Sequence, residues 1–263
     1  MTAASTRMPA LFVGHGNPMN AIEENRWSQA QRELAGRLPR PRAVLAISAH
    51  WYVEGTHTTG AARPETIHDF GGFPEALYRV QYPAPGDPAL ARRVVELLGG
   101  RHASVTGDWG LDHGTWSVLR QLLPEADVPV VQLSIDAGLA PAEHLALGRA
   151  LAPLRDEGVL ILGSGNLTHN LRHAFGAWHR GDTTAPPWAV AFDEAAARAL
   201  LERDEPWLLG ALERDEGRLA HPTPDHWLPL LYVAGAAGPT EPISSPITGF
   251  DMGSLSMRSF LVG

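Results

Sequence analysis

The chain has 263 residues, 44% hydrophobic and 19% charged, with a formal net charge of −8, and is long enough to bury one substantial core. It contains no cysteine, and all 21 of its Lys+Arg residues are arginine; this excludes disulfides, thiolate nucleophiles, iron–sulfur clusters, Cys-type zinc sites, Schiff-base chemistry and a P-loop lysine. The 29 acidic residues outnumber the arginines, which form no cluster, so a nucleic-acid surface is not expected.

Strand-length apolar runs alternate with segments of helical period, predicting an α/β fold: a single domain over 1–263 with a central, mostly parallel or mixed sheet flanked by helices. The first strand is expected over residues 10–13, followed by a helix over 23–38 and a second strand over 43–47. Residues 61–88 carry Pro64, Pro74, Pro83, Pro85 and Pro88, the pair Gly71-Gly72, and the aromatics Phe70, Phe73, Tyr78 and Tyr82. They are expected to form an ordered loop of the kind that walls a binding site. Asp87 then reads as the cap of a helix over 88–98, with a further helix over 117–123. A strand over 128–133, a helix over 141–154 and a strand over 159–162 follow, the strands nearly continuous in apolar residues as befits a sheet covered on both faces. Helices are predicted over 188–201, 208–213 and 229–236, an irregular Pro/Ser/Gly-rich segment over 239–252, and a last strand over 254–262. No apolar stretch approaches the ~20 residues of a membrane helix, and residues 1–9 lack the apolar centre of a signal peptide. The expected setting is soluble and cytoplasmic, with no membrane or nucleic-acid partner.

The twelve histidines are the main chemical resource left. His15 follows the first strand in Gly14-His-Gly-Asn-Pro18, His50 follows the second in Ser48-Ala-His-Trp51, and His169 follows the strand ending near Leu162 in Gly163-Ser-Gly-Asn-Leu-Thr-His169. In open α/β sheets ligands bind beyond the carboxyl ends of strands, so these three point to one rim. His113 in Asp112-His-Gly-Thr-Trp116 and His226 in Pro222-Thr-Pro-Asp-His-Trp227 sit in comparable turns. Thr223 and Pro224 look like a helix start, although Pro229 allows the helix to begin later with His226 in the turn before it. His57, His102, His144, His173 and His179 read as ordinary structural histidines, and His68 and His221 stay open between the two roles. A set of neutral imidazoles is a usual way to hold a borderline divalent metal without thiolates. No His-Glu-x-x-His occurs, and Ser164 is not in Gly-x-Ser-x-Gly, which argues against a zincin-type protease and a nucleophile-elbow hydrolase.

These segments, together with Thr66-Ile-His-Asp-Phe-Gly-Gly-Phe-Pro74, Tyr82-Pro-Ala-Pro-Gly86 and His221-Pro-Thr-Pro-Asp-His226, resemble the class III extradiol ring-cleavage dioxygenases, specifically their 4,5-DOPA extradiol dioxygenase type. The motifs run in a consistent order from position 14 to 226. The resemblance implies a mononuclear non-haem Fe(II) site with His15, His50 and His226 as metal ligands, His226 standing where protocatechuate-type relatives have a glutamate. It places His169 beside the metal as a fourth ligand or an acid/base, and His113 in the pocket as a second acid/base. The implied substrates are O2 and a small aromatic catechol, DOPA or a relative, opened to a semialdehyde.

Three protein ligands on one side of an octahedral ion leave positions for both catechol oxygens and O2, and a histidine near neutrality can take a proton from a catechol hydroxyl. An all-imidazole set also suits zinc, so Zn(II) is an expected bound metal alongside Fe(II) for activity. Trp51, Trp116 and Trp227, each close after a site histidine, and His68 in the 61–88 loop are candidates for the substrate walls. An arginine such as Arg79 is a candidate partner for a substrate carboxylate. The competing readings are a zinc-dependent hydrolase using the same histidines and a non-catalytic metal-binding relative.

Overall fold

The apolar runs of the sequence become the middle of one sheet. The computed structural model describes residues 7–99 and 103–263, so His102 lies outside the described residues. Its strands are β1 (Ala10–Gly14), β2 (Ala43–Val53), β3 (Thr56–Thr59), β4 (Ala103–Thr106), β5 (Val130–Asp136), β6 (Val159–Gly165), β7 (Ile243–Ile247), β8 (Phe250–Asp251), β9 (Leu255–Ser256) and β10 (Ser259–Val262). Eight of them pair in the order β4-β3-β5-β2-β6-β1-β10-β7, and β8 pairs with β9 separately. The contacts β5–β2, β2–β6 and β6–β1 are parallel, while β10 runs antiparallel to β1 and β7. The mixed, mostly parallel sheet predicted from the sequence is therefore present.

The helices are α1 (Arg26–Ala35), α2 (Glu75–Tyr78), α3 (Pro88–Leu97), α4 (His113–Leu122), α5 (Pro141–Leu151), α6 (Leu171–His179), α7 (Pro187–Glu202), α8 (Glu205–Leu209), α9 (Asp215–Ala220) and α10 (Leu228–Ala236). Successive side chains of a strand point to opposite faces, and the core divides accordingly. Ala10, Phe12, Leu45, Ile47, Val131, Leu133, Val159 and Ile161 pack with α3, α5, α7 and α10. Leu11, Val13, Val44, Ala46, Val130, Leu160 and Leu162 pack with α1, α4 and the 77–84 segment. Both faces of the central strands are thus apolar because both are covered.

Two departures from the expected elements matter for the site. Strand β2 continues to Val53 instead of ending at 47, so His50 and Trp51 lie within the strand. It is carried there by pairing with β5 as far as Val53 opposite Asp136, across a register shift between Ile47 and Tyr52. Helix α4 starts at His113, four residues earlier than expected, because the Asp112 side chain accepts from the backbone N–H of Thr115. As the later-starting reading of the sequence has it, α10 starts at Leu228 with Pro229 in its first turn, which leaves His226 in the preceding turn. Within residues 61–88 the chain is ordered, and Tyr82 is buried with its hydroxyl donating to Leu123 O at 2.8 Å. The predicted helix over 208–213 is the short α8 followed by a 3₁₀ turn at Ala211–Glu213. No helix among the described residues is long and apolar enough to cross a membrane.

Candidate metal centre and active site

The central strands β2, β6 and β1 deliver their carboxyl ends to one rim, and five histidines gather there. His15 extends from β1, where its backbone N–H donates to Gly165 O at 3.0 Å. His226 is laid onto β6 by close backbone approach: a Cβ added at Gly165 would sit 2.3 Å from His226 O, and one at Gly163 2.7 Å from Pro229 O. Glycine at these two positions lets the turn before α10 rest directly on the strand. Gly114, in the first turn of α4, leaves space for His50 in the same way, since a Cβ there would meet His50 Cδ2 at 2.8 Å.

The ring centroids of His15, His50 and His226 form a triangle with all three sides 5.1 Å. His15 Nε2 and His50 Nε2 are 3.3 Å apart. One nitrogen from each of His15, His50 and His113 lies within 4.8 Å of the others, a separation that ligands of a single ion can have. The outward nitrogens of His15 and His226 are tethered by hydrogen bonds, and those of His50 and His113 face Asp69. His15 Nδ1 is 2.9 Å from Ser164 Oγ, and Ser164 donates its own hydrogen to Gly114 O at 2.6 Å. The serine oxygen must therefore accept from His15 Nδ1–H, which leaves the Nε2 lone pair facing the centre. His226 Nδ1 donates to Asp225 Oδ2, while its buried Nε2 has no hydrogen-bond partner. His50 Nδ1 lies 3.4 Å and His113 Nδ1 2.9 Å from Asp69 Oδ2. An orphaned, buried imidazole nitrogen amid others of its kind fits a metal-ligand role, since an unpaired buried polar atom otherwise costs stability.

Electrostatics keep His15, His50, His169 and His226 neutral. Burial, reinforced by the neighbouring imidazoles, pushes the pKa of His15 and His226 well below the ordinary value. Burial and the nearby His113 lower His50 to about 3, and burial and His221 lower His169 to about 4. Burial would raise Asp69, but its hydrogen bond and attraction to His113 bring the carboxyl below its usual range. Neutral imidazoles with the ionised Asp69 behind them are the protonation states a divalent cation requires.

A cavity of about 470 Å³ opens onto this rim. His15, His50, His113, His169 and His226 all line it, with walls from Phe70, Phe73, Leu171, Phe175, Met252 and Leu255 and polar groups from Asn17, Asp69, Thr223 and Asp225. His169 lies flat on His226, centroids 3.4 Å apart and planes 5° from parallel.

The four candidate wall residues lie behind this lining. Trp51 is buried and stacked on Trp109. Trp116 is buried with its indole N–H donating to Ile67 O, and Trp227 packs on Phe192 and Trp207 on the other face of the sheet. His68 donates to Val80 O at 3.0 Å and packs against Phe70 and Trp116, thereby bracing the wall without facing the cavity. For Trp51 this follows from period, since it is the residue after His50 within β2 and points to the opposite side of the strand. His221 is likewise internal, donating to Leu167 O. Arg79 is exposed at the end of α2 and does not line the cavity. Ser164, Asp69 and Asp225 escaped sequence reasoning as tethers. Only Asp225, next to His226, offers a signal along the chain.

Comparison with known proteins agrees with this geometry. Residues 9–252 match the family described as the catalytic LigB subunit of aromatic ring-opening dioxygenase. The chain is 50% identical over 264 residues to the 4,5-DOPA dioxygenase extradiol of Escherichia coli (strain K12), covering 99% of this chain and 96% of the relative. It is 41% identical to the Beta vulgaris protein of the same name, covering 95% and 94%. A crystal structure of an uncharacterized protein from Escherichia coli K12 superposes with a TM-score of 0.85 at 45% identity, covering 98% of this chain and all of that one. A rim of neutral histidines over a parallel sheet and a match along nearly the whole chain lead to one assignment: the protein belongs to the LigB family of class III extradiol, aromatic ring-opening dioxygenases.

Proposed function

We propose that the chain inserts O2 into the ring of a small catechol, DOPA or a close relative, using Fe(II) held by His15, His50 and His226. The observation that carries this reading is the convergence of three neutral imidazoles, in which His15 Nε2 and His50 Nε2 face each other at 3.3 Å and the buried His226 Nε2 has no protein partner. Bound Fe(II) would supply the redox chemistry that couples O2 to the ring and the charge that acidifies the catechol. DOPA as substrate is supported by the names of the relatives just described.

His169 is assigned as acid/base and not as a fourth ligand. Its ring stacks face to face on that of His226, centroids 3.4 Å apart and planes 5° from parallel, and would hold or move a proton there beside the ligand set. From that place the ring can take a proton from a catechol hydroxyl or return one to a cleaved product. His113, whose backbone N–H donates to Asp69 Oδ1 at 2.9 Å and whose Nδ1 lies 2.9 Å from Asp69 Oδ2, is the second such group. Phe70, Phe73 and Phe175 supply apolar surface to an aromatic ring and keep water from it.

The test is anaerobic reconstitution with Fe(II), then a catechol panel including DOPA with oxygen uptake and product mass recorded. Gain of two oxygen atoms by a catechol supports the reading; indifference of every catechol to air removes it.

A further inference from the structure

The charges around the cavity discriminate among catechols. No arginine lines it; its charged lining groups are Asp69 and Asp225, each engaged by an imidazole. A carboxylate attached directly to the catechol ring would be carried in among these two carboxylates with no guanidinium to meet it, and like charges at close quarters disfavour binding. A second cavity of about 440 Å³ shares His169, Leu171 and Thr223 with the first and adds Arg172. The two cavities therefore adjoin along these three residues, with Arg172 lining the second.

Arg172 is exposed and takes part in no ion pair among the described residues. It is the second residue of α6, whose first turn holds no acidic side chain. A cation there opposes the helix dipole, which favours negative charge at this end, so helix stability does not account for it. The Asn170 side chain accepts from His173 N–H, leaving the amides of Leu171 and Arg172 on the same side of the electrostatic balance as the guanidinium. The position favours an incoming anion.

We propose that Arg172 binds the carboxylate of a catechol's flexible side chain, selecting catechols whose carboxylate is separated from the ring by two or more carbons, as in amino-acid or propionate side chains, over those with a ring carboxylate. The inference rests on the catechol reading of the histidine cluster. Guanidinium and carboxylate pair by charge-assisted hydrogen bonds of fixed geometry, and in an open cavity such a contact is worth about tenfold in affinity.

The experiment compares Arg172→Gln and Arg172→Lys with the parent protein on DOPA, 3-(3,4-dihydroxyphenyl)propionate, dopamine and 3,4-dihydroxybenzoate. Steady-state kinetics of the Fe(II)-loaded enzyme are read together with calorimetric Kd values for the Zn(II)-loaded protein, and thermal melting checks the fold. For R172Q the expected result is a rise of about tenfold in KM and Kd for DOPA and the propionate, with kcat within about twofold, and a matching fall in the DOPA-to-dopamine ratio of kcat/KM; R172K recovers part of it. The parent binds 3,4-dihydroxybenzoate more weakly than the propionate. Equal changes for dopamine and DOPA, a loss confined to kcat, or unchanged carboxylate affinity each overturn the role of Arg172. A parent that binds and consumes dopamine while R172Q leaves the ratio intact defeats this proposal alone. A parent that neither binds nor consumes any of the four defeats the catechol reading and this proposal with it.

Discussion

Ser164 Oγ accepts from His15 Nδ1 at 2.9 Å and donates to Gly114 O at 2.6 Å. One hydroxyl on β6 thereby chooses the tautomer of a ring carried by β1 and ties it to the first turn of α4. Ser164→Ala removes the tether without adding bulk. Metal affinity should fall by about 10- to 100-fold, the usual effect of losing a partner behind a ligating histidine. Competition with a chromophoric chelator measures it, and an unchanged affinity would show that the tautomer is held by something else.

Ligand and acid/base roles separate on metal content. His226→Ala should empty the site, whereas His169→Ala and His113→Ala should retain metal while turnover drops by roughly 10²- to 10⁴-fold. Metal-to-protein ratios after desalting, set beside rates, make the distinction. An empty site in His169→Ala would restore that residue to the ligand set.

Gly165 permits the contact between β6 and the turn bearing His226. In Gly165→Ala the new Cβ would lie 2.3 Å from His226 O, and backbone must move. Overpacking of this kind costs about 1–3 kcal/mol. Reduced denaturation midpoint together with weakened metal binding is expected, and full metal affinity in this variant would mean that His226 tolerates displacement.

The pH dependence has a defined sign. His169, at about 4, and His15 and His226, both lowered, bind fewer protons in the folded protein than in the unfolded chain, where histidine titrates near 6.5. Between those limits the unfolded state takes up more protons, so stability of the metal-free protein falls as pH drops from about 6.5 toward 4. Above that window the contribution is constant. Because the ligands are already neutral at pH 7.5, metal binding there should release almost no protons from histidine. Urea titrations across pH and calorimetry in buffers of different ionisation heat test the two halves.

Metal analysis of protein purified without added iron should find zinc, since an all-imidazole set binds Zn(II) more tightly than Fe(II). Replacement by Fe(II) under anaerobic conditions should then raise catechol turnover. Iron alone in the purified protein would point to selection by something beyond the three rings.

Much of this protein is determined along the chain. The absence of Cys and Lys confines its polar chemistry to imidazole, carboxylate, guanidinium and hydroxyl, and the runs at 10–13, 43–47 and 159–162 appear as adjacent strands in the sheet. Local spacing suffices there, because a strand covered on both faces is apolar throughout and the residue after its carboxyl end falls at the rim. The overlong β2 and the early start of α4 were not legible, since the first depends on pairing with β5 and the second on one side-chain cap.

Only the tertiary structure decided what surrounds the rings. Trp51, Trp116 and Trp227 are neighbours of site histidines in sequence, yet all three are buried away from the cavity, whose wall comes from Phe70, Phe73, Leu171, Phe175 and Met252. Ser164 meets His15 across 149 positions, and Asp69 meets His113 across 44. Such pairs are set by which strands lie side by side and which loops fold over them, and no periodicity of the chain encodes that.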